Sequence, residues 1–511
     1  LAFDYLVFSE AQLAAALANG FITPDEVEVR ERTRYLFGYL TTIGARSIIV
    51  ETDYTDGDYL SDYASYYYSC FENYPRLCKR LHFFSASFDE ELFKAAISNK
   101  NASAIKVLQE SYLGFVVARP LPDAIIGRTI LRTYDSIDRR HYPVIRLYRP
   151  VLAGIELPVK SLAFQEQDRV TAACATVALW SAFHMTSRLF DGTRRPRPSM
   201  ITEMANVVRT ATRAVPSHGL DVLQMCEAIR AAHLETEVVQ ISGATPLASI
   251  IYGYLEAGLP AILICDIVGV GSHAITLVGY STPKEESDFR EPPVSGVHSY
   301  ASRINEFYGH DDQVGPFARM FIRAPKDTDE AKSVPFILEG SWKRNGSAVR
   351  LVPSVLLVPL YEKVRLRFLE MHAWIQRIMG VFKQGFPGEE LEWNIRLTTT
   401  NLYKKELRST RERPPLDLAD ILGAQQPRFF WRASLRMSGQ LLFDVLGDAT
   451  DFGDEAHIKY SFPLFRIVWY SESTRDAIGR LIAEEKDSVV KIWGSKLTRF
   501  MAGENVRLRR G

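Results

Sequence analysis

Gly271-Ser272-His273-Ala274-Ile275-Thr276-Leu277-Val278-Gly279-Tyr280 decides how the middle of this chain is read. A short apolar run flanked by glycine fits a buried strand. His273 stands at its start, directly after small residues, so its ring is expected to project from the strand end into a cleft. A neutral imidazole in that position can take a proton from a nucleophile and return it to a leaving group. A lone strand histidine is more often a satisfied structural residue, so its meaning rests on its company.

Two further segments supply that company. Upstream, Gln165-Glu166-Gln167-Asp168-Arg169-Val170-Thr171-Ala172-Ala173-Cys174-Ala175 leads into a helix predicted over 171–190, with Val177, Trp180, Phe183 and Leu189 close to one face. Cys174 falls near the helix start, where unpaired backbone N–H groups and the positive end of the dipole favour a thiolate. Its small neighbours Ala172, Ala173 and Ala175 leave room for a substrate carbonyl, although cysteine is also a common core residue. Downstream, Phe307-Tyr308-Gly309-His310-Asp311-Asp312-Gln313-Val314-Gly315-Pro316 ends an aromatic strand in two carboxylates. Asp311, or else Asp312, is expected to hold the second imidazole nitrogen, and either can instead cap the turn before Gly315-Pro316.

Together these features resemble the papain-like cysteine peptidases in their bacterial, bacteriocin-processing form. The resemblance rests on a glutamine, then Cys174 at a helix start with Trp180 inside that helix. Gly258-Leu259-Pro260 follows, before the apolar strand 261–267, and then S-H-A-I-T-L-V-G-Y and an aromatic strand ending in Asp, in the order Cys, His, Asp. It spans residues 157 to 325, about a third of the chain. Ala175-Thr176 follow the cysteine where such members often carry Gly-Pro or Trp, and no transporter segment is evident. The resemblance implies a nucleophile at Cys174, a general base and acid at His273, an orienting carboxylate at Asp311 or Asp312, and an oxyanion donor at Gln167 or Gln165 beside the Cys174 backbone N–H.

The expected fold class is α+β: a papain-like cysteine peptidase domain at 151–330, flanked by an N-terminal α/β domain at 1–150 and a C-terminal mixed helix and strand extension at 331–511. In the first region, apolar runs at 45–51, 81–84 and 114–119 read as strands, with helical spacing at 59–71 and 88–98. In the last region, a helix is expected over 361–379 and strands over 392–397 and 430–437.

Lys plus Arg and Asp plus Glu are equal at 61 each, so no global basic field attracts nucleic acid, and Arg507, Arg509 and Arg510 read as a solvated end. Five scattered cysteines without a C-x-x-C pair argue against a disulfide framework and a cysteine zinc site. No signal peptide is legible in residues 1–20, and the apolar runs are too short to span a bilayer. A soluble, cytoplasmic protein without cofactor or metal, acting on a protein or peptide substrate and open to a regulatory protein partner, is therefore expected. The alternatives are transglutaminase-like or deamidase-like acyl transfer by the same triad, and an inactive papain-like binding or sensing module.

Weaker signals point to structure. Asp451-Phe452-Gly453 lacks the other kinase motifs. Asp444, Asp448, Asp451 and Asp454 read as a solvated acidic loop before a calcium site. His184, His218, His310 and His372 have no ligand spacing, Cys226 and Cys265 read as packed core thiols, and Gly269-Val270-Gly271 reads as a hinge or clearance before His273.

Overall fold

The computed structural model describes residues 3–98, 101–136, 139–168, 173–206, 219–282, 291–325, 333–344, 346–410, 413–450 and 464–484. The expectations placed on Thr171, Ala172, His218, Asp451, Asp454 and the basic end lie outside these residues. The fold is α+β, and its contacts divide the chain into two compact units. One comprises 1–243, 258–282 and 306–359; the other comprises 244–257, 283–305 and 360–511. The segments 1–150 and 151–243 thus share a unit, as do 306–330 and the start of the region beyond 330.

The first unit opens with a five-stranded sheet of β1 (Phe3–Val7), β2 (Ser47–Tyr54), β3 (Cys78–Phe84), β4 (Tyr112–Ala118) and β5 (Ile126–Leu131), ordered as in the sequence. Helices fall between several strands, yet every pairing is antiparallel, so the strand–helix alternation does not build a parallel sheet here. Helix α1 (Glu31–Thr42) turns Leu36, Tyr39 and Leu40 into the core.

The second part of this unit is a sheet whose pairing closes on itself. Its strands are β6 (Glu235–Gln240), β7 (Ala261–Ile267), β8 (Gly271–Ser281), β9 (Glu306–Asp311), β10 (Gly315–Arg323), β11 (Ile337–Arg344) and β12 (Ser347–Leu360). β12 is long enough to pair with β11 through one stretch and with β7 through another, which closes the ring β7-β8-β9-β10-β11-β12 and leaves β6 outside it on β12. Closure removes exposed strand edges from the ring. Gly269 and Gly271, read from the sequence as a hinge or clearance before His273, have positive φ and form the tip of the β7–β8 hairpin, with Val268 and Val270 exposed beside them.

Helix α2 (Cys174–Leu189) is buried along nearly its whole length, from Ala175 through Thr186. It lies against β8, where the Thr276 hydroxyl donates to the Ala178 carbonyl at 2.8 Å. Cys174 stands one turn before Ala178, and His273 three residues before Thr276, so this contact brings the two residues to the same end of the packed pair.

The other unit holds α3 (Leu247–Leu255), α4 (Phe368–Gly385) and a sheet of β13 (Leu391–Thr399), β14 (Phe429–Met437), β15 (Gln440–Asp448) and β16 (Leu464–Trp469), with the short strand His298–Ser299 parallel to β13. Tyr403, Leu407, Phe430, Leu446, Val468 and Tyr470 form a core cluster on it. Asp444 is no solvated loop residue. It is fully buried and accepts from Ser434 at 2.6 Å and from Tyr470 at 2.9 Å, with Arg432 at 2.9 Å. Asp448 accepts from the Thr450 N–H. Among the described residues, no helix is long and apolar enough to cross a membrane.

Candidate active site

Cys174 is the first residue of α2, and the preceding Ala173 contributes no side-chain cap. The first N–H groups of the helix are therefore not taken up by a capping side chain, which leaves the positive end of the dipole at the sulfur. Cys174 is half-buried, whereas Cys78, Cys226 and Cys265 are buried. Burial pushes the Cys265 thiol up to about 12 and raises Cys226 as well. Both are inert core thiols, as their positions in the sequence suggested.

His273 is 1% exposed and lies on β8 opposite Cys265 of β7. Its Nε2 meets Asp311 Oδ1 at 2.9 Å, with Asp312 Oδ1 further off at 3.7 Å. The Cys174 side chain also lies close enough to the ring to favour its charged form. With Nε2 engaged by Asp311, the nitrogen left for the sulfur is Nδ1, which also has Gln313 Nε2 at 3.5 Å. Burial alone would lower the His273 pKa, but the charge of Asp311 and its hydrogen bond outweigh burial, assisted by the Cys174 contact and by Asp312, and hold the imidazole well above its usual range.

Strand β9 sets the carboxylates. Thr276 of β8 pairs with His310, so Asp311 follows toward the His273 end, where the tight turn into β10 begins. Asp311 Oδ1 also accepts from the Gln313 N–H at 2.9 Å, which fixes the carboxylate against the ring. Asp311 thus caps the turn and holds the His273 ring at once, two contacts that the sequence left as alternatives. Asp312 is 2% exposed, and neither of its oxygens has a hydrogen-bond partner among the described residues. Burial raises its pKa to about 6, against the opposing pull of His273.

The glutamines differ. Gln167 lines an open cleft of about 640 Å³ together with Asp311, Gln313, Ile267, Trp342 and Val349. Gln165 is 2% exposed, and its Nε2 has no partner among the described residues. Between them, Glu166 is tied into the N-terminal sheet: its N–H donates to the Ile126 carbonyl and its carboxylate accepts from the Ile126 N–H.

Several contributors were not visible in the sequence. Arg32 of α1 forms an ion pair with Glu166 and donates through Nε to the Gln313 carbonyl at 3.2 Å. Tyr35 donates to the Pro316 carbonyl at 2.8 Å. One helix of the N-terminal region thus holds both the glutamine segment and the turn after Asp311. Nothing in the local pattern of Arg32 signals this; Gln313 was signalled only by lying directly after the two aspartates.

His310, His184 and His372 are held in packing contacts. His310 accepts the Phe317 N–H through Nδ1 and reaches the Leu162 carbonyl through Nε2, and burial pushes it down to about 3. His184 packs on Trp180 and His372 on Phe368, both lowered by burial. Among the described residues, His273, Asp311 and Asp312 form a group able to hold a metal ion, their ligand atoms lying within 4.8 Å of one another.

The chain matches no protein-family model and no curated protein sequence.

Proposed function

We propose that this chain is a papain-like cysteine peptidase or related thiol amidohydrolase that cleaves peptide or isopeptide bonds through an acyl-enzyme. The observation that carries the reading is the buried His273 ring, held by Asp311 at 2.9 Å, with the Cys174 side chain near enough to favour the ring's charged form. A helix beginning at the sulfur and packed on the strand that bears the imidazole supports it further. Five free cysteines fit a reducing, cytoplasmic setting.

In this mechanism His273 Nδ1 accepts the thiol proton and the sulfur attacks the carbonyl carbon. The tetrahedral oxyanion turns toward the Cys174 N–H at the helix start and the amide of Gln167 or Gln165. His273 returns the proton to the departing amine, leaving a thioester. Water attacks the thioester, His273 takes the water proton, and the proton goes back to sulfur as the acid is released. Asp311 keeps the ring in the tautomer that presents Nδ1 and stabilises the imidazolium between the two transfers.

The test pairs a thiol probe with a product assay. Iodoacetamide at neutral pH should label Cys174 faster than Cys226 or Cys265, read by peptide mass spectrometry, and His273→Ala should slow that labelling at least about tenfold. Turnover of a peptide library should vanish in Cys174→Ala. Equal labelling of the three thiols, unchanged by His273→Ala, would sink the reading. Ammonia release without new peptide termini would redirect it to deamidation.

A further inference from the structure

We propose that His273 Nε2, Asp311 and Asp312 form a binding site for a divalent transition cation such as zinc, and that its occupation switches off the chemistry of Cys174. The binding rests on the three side chains alone. The switch rests on the thiol reading above.

Asp312 is the feature the acyl-transfer mechanism does not use. Asp311 already holds the ring, yet a second carboxylate is buried beside it with both oxygens lacking hydrogen-bond partners among the described residues. A buried carboxylate without donors costs free energy, and a cation is the partner that would offset the cost. Two carboxylates facing one imidazole also leave an excess of negative charge, which suits a dication.

The spacing fits. A tetrahedral zinc with N and O ligands at about 2.0–2.2 Å separates those ligands by about 3.3–3.6 Å. The two distances from Nε2, 2.9 Å to Asp311 and 3.7 Å to Asp312, bracket that range, so small side-chain rotations suffice. An imidazole with two carboxylates is a donor set for zinc or manganese rather than for calcium or magnesium, which prefer oxygen throughout. Entry is available because Asp311 and Gln313 border the open cleft.

Occupation would act on the nucleophile through the ring. The cation takes the Nε2 lone pair, so the ring keeps one proton on Nδ1 and any second proton leaves to solvent, and the cation withdraws Asp311 from the ring. With Nδ1 carrying the ring's remaining proton, the imidazole has no lone pair left to accept the thiol proton. The occupied site therefore holds a correctly placed but inert Cys174.

The decisive experiment uses the full chain with zinc or cobalt as the probe. After dialysis against zinc, one equivalent should remain with the wild type and equally with Cys174→Ala, whereas Asp312→Asn should bind at least about tenfold more weakly. Cobalt should give visible d–d bands without a sulfur-to-metal charge-transfer band. That readout is taken on the unaltered protein and holds even if Asp312→Asn fails to fold. Zinc should also slow iodoacetamide labelling of Cys174, and a chelator should restore it. No retained zinc, or zinc lost in Cys174→Ala with a sulfur band in the cobalt spectrum, overturns the site. Zinc bound with labelling unchanged overturns the switch. Failure of peptide turnover by the zinc-free protein, with zinc binding intact, counts against the peptidase reading alone.

Discussion

Gln165 and Gln167 are two residues apart and have opposite surroundings: one is buried with its Nε2 unpartnered among the described residues, the other stands in the cleft with Asp311 and Gln313. On the peptidase reading proposed above, Gln167 is the expected oxyanion donor, since it stands in the cleft that Asp311 also lines. Gln167→Ala is expected to lower kcat by about 10²–10³ with little change in KM, the cost of one missing oxyanion-hole donor. Gln165→Leu should keep turnover and leave stability unchanged or slightly higher, because it removes a buried amide that has no acceptor. Steady-state kinetics on both variants decide this, and the reverse pattern would assign the oxyanion to Gln165. A second residue-scale consequence follows at Gly315, where a Cβ would come within 2.3 Å of the Tyr35 ring. Gly315→Ala should therefore cost about 1–3 kcal/mol as an overpacked contact, and it should slow Cys174 labelling by shifting the turn that carries Gln313. A thermal melt with parallel iodoacetamide kinetics reads both effects.

Elements with a strong local period were legible in the sequence, and elements defined by a distant partner were not. The strand at 261–267 was readable to the residue, and that at 272–280 within one residue of Gly271–Ser281, because apolar runs bounded by Gly and Pro carry their own limits. The helix read over 361–379 instead runs Phe368–Gly385; its first N–H donates to the Tyr254 hydroxyl, an anchor no local window contains. Residues 157–165 contribute only the short strand Val159–Ser161, and Phe164 and Glu166 bond instead to Thr129 and Ile126 of β5. Closure of the ring was equally hidden, since it depends on β12 meeting both β7 and β11. The same holds for α1, whose Arg32 and Tyr35 join the glutamine segment to the turn after Asp311. Arg32→Ala leaves the buried Glu166 carboxylate without this cation. The loss should cost about 1–3 kcal/mol, less than for a fully buried pair because Arg32 is partly in solvent. It should also lower the rate of Cys174 labelling, since Gln313 loses its Arg32 donor. Unchanged labelling in a folded Arg32→Ala protein would reduce α1 to a scaffold.

At the scale of the whole molecule, neither unit is one continuous segment: 244–257 and 283–305 leave the first unit and belong with 360–511. Length and composition set the expectation of more than one domain, but the grouping depends on contacts between segments far apart in the chain. Stability against acid is written across both units in buried neutral histidines: His82, His184 and His310 in the first and His372 in the second. His82 shows the logic most plainly. Burial pushes it down to about 4, against the pull of Glu51 and with the help of Arg80, while Nδ1 lies 2.9 Å from the Tyr112 hydroxyl and Nε2 lies 3.6 Å from Glu51. In the unfolded chain a histidine titrates near 6.5, so the unfolded state binds the proton first. Stability from His82 is complete above about pH 6.5, is lost as the pH falls toward about 4, and amounts to about 3 kcal/mol over that window. His273 has the opposite sign: its raised pKa adds stability below about 6.5 that fades as the pH climbs through its folded value. Among the described residues five histidines, His298 included, are lowered and His273 is raised, so the histidine contribution to stability falls on acidification. Hydrogen exchange of peptides covering β3 and β4 should accelerate between about pH 7.5 and about pH 5, after correction for the intrinsic rate, and His82→Gln should remove most of that acceleration. Equal acceleration in the variant would mean that the N-terminal sheet is loosened by acid through some group other than this imidazole.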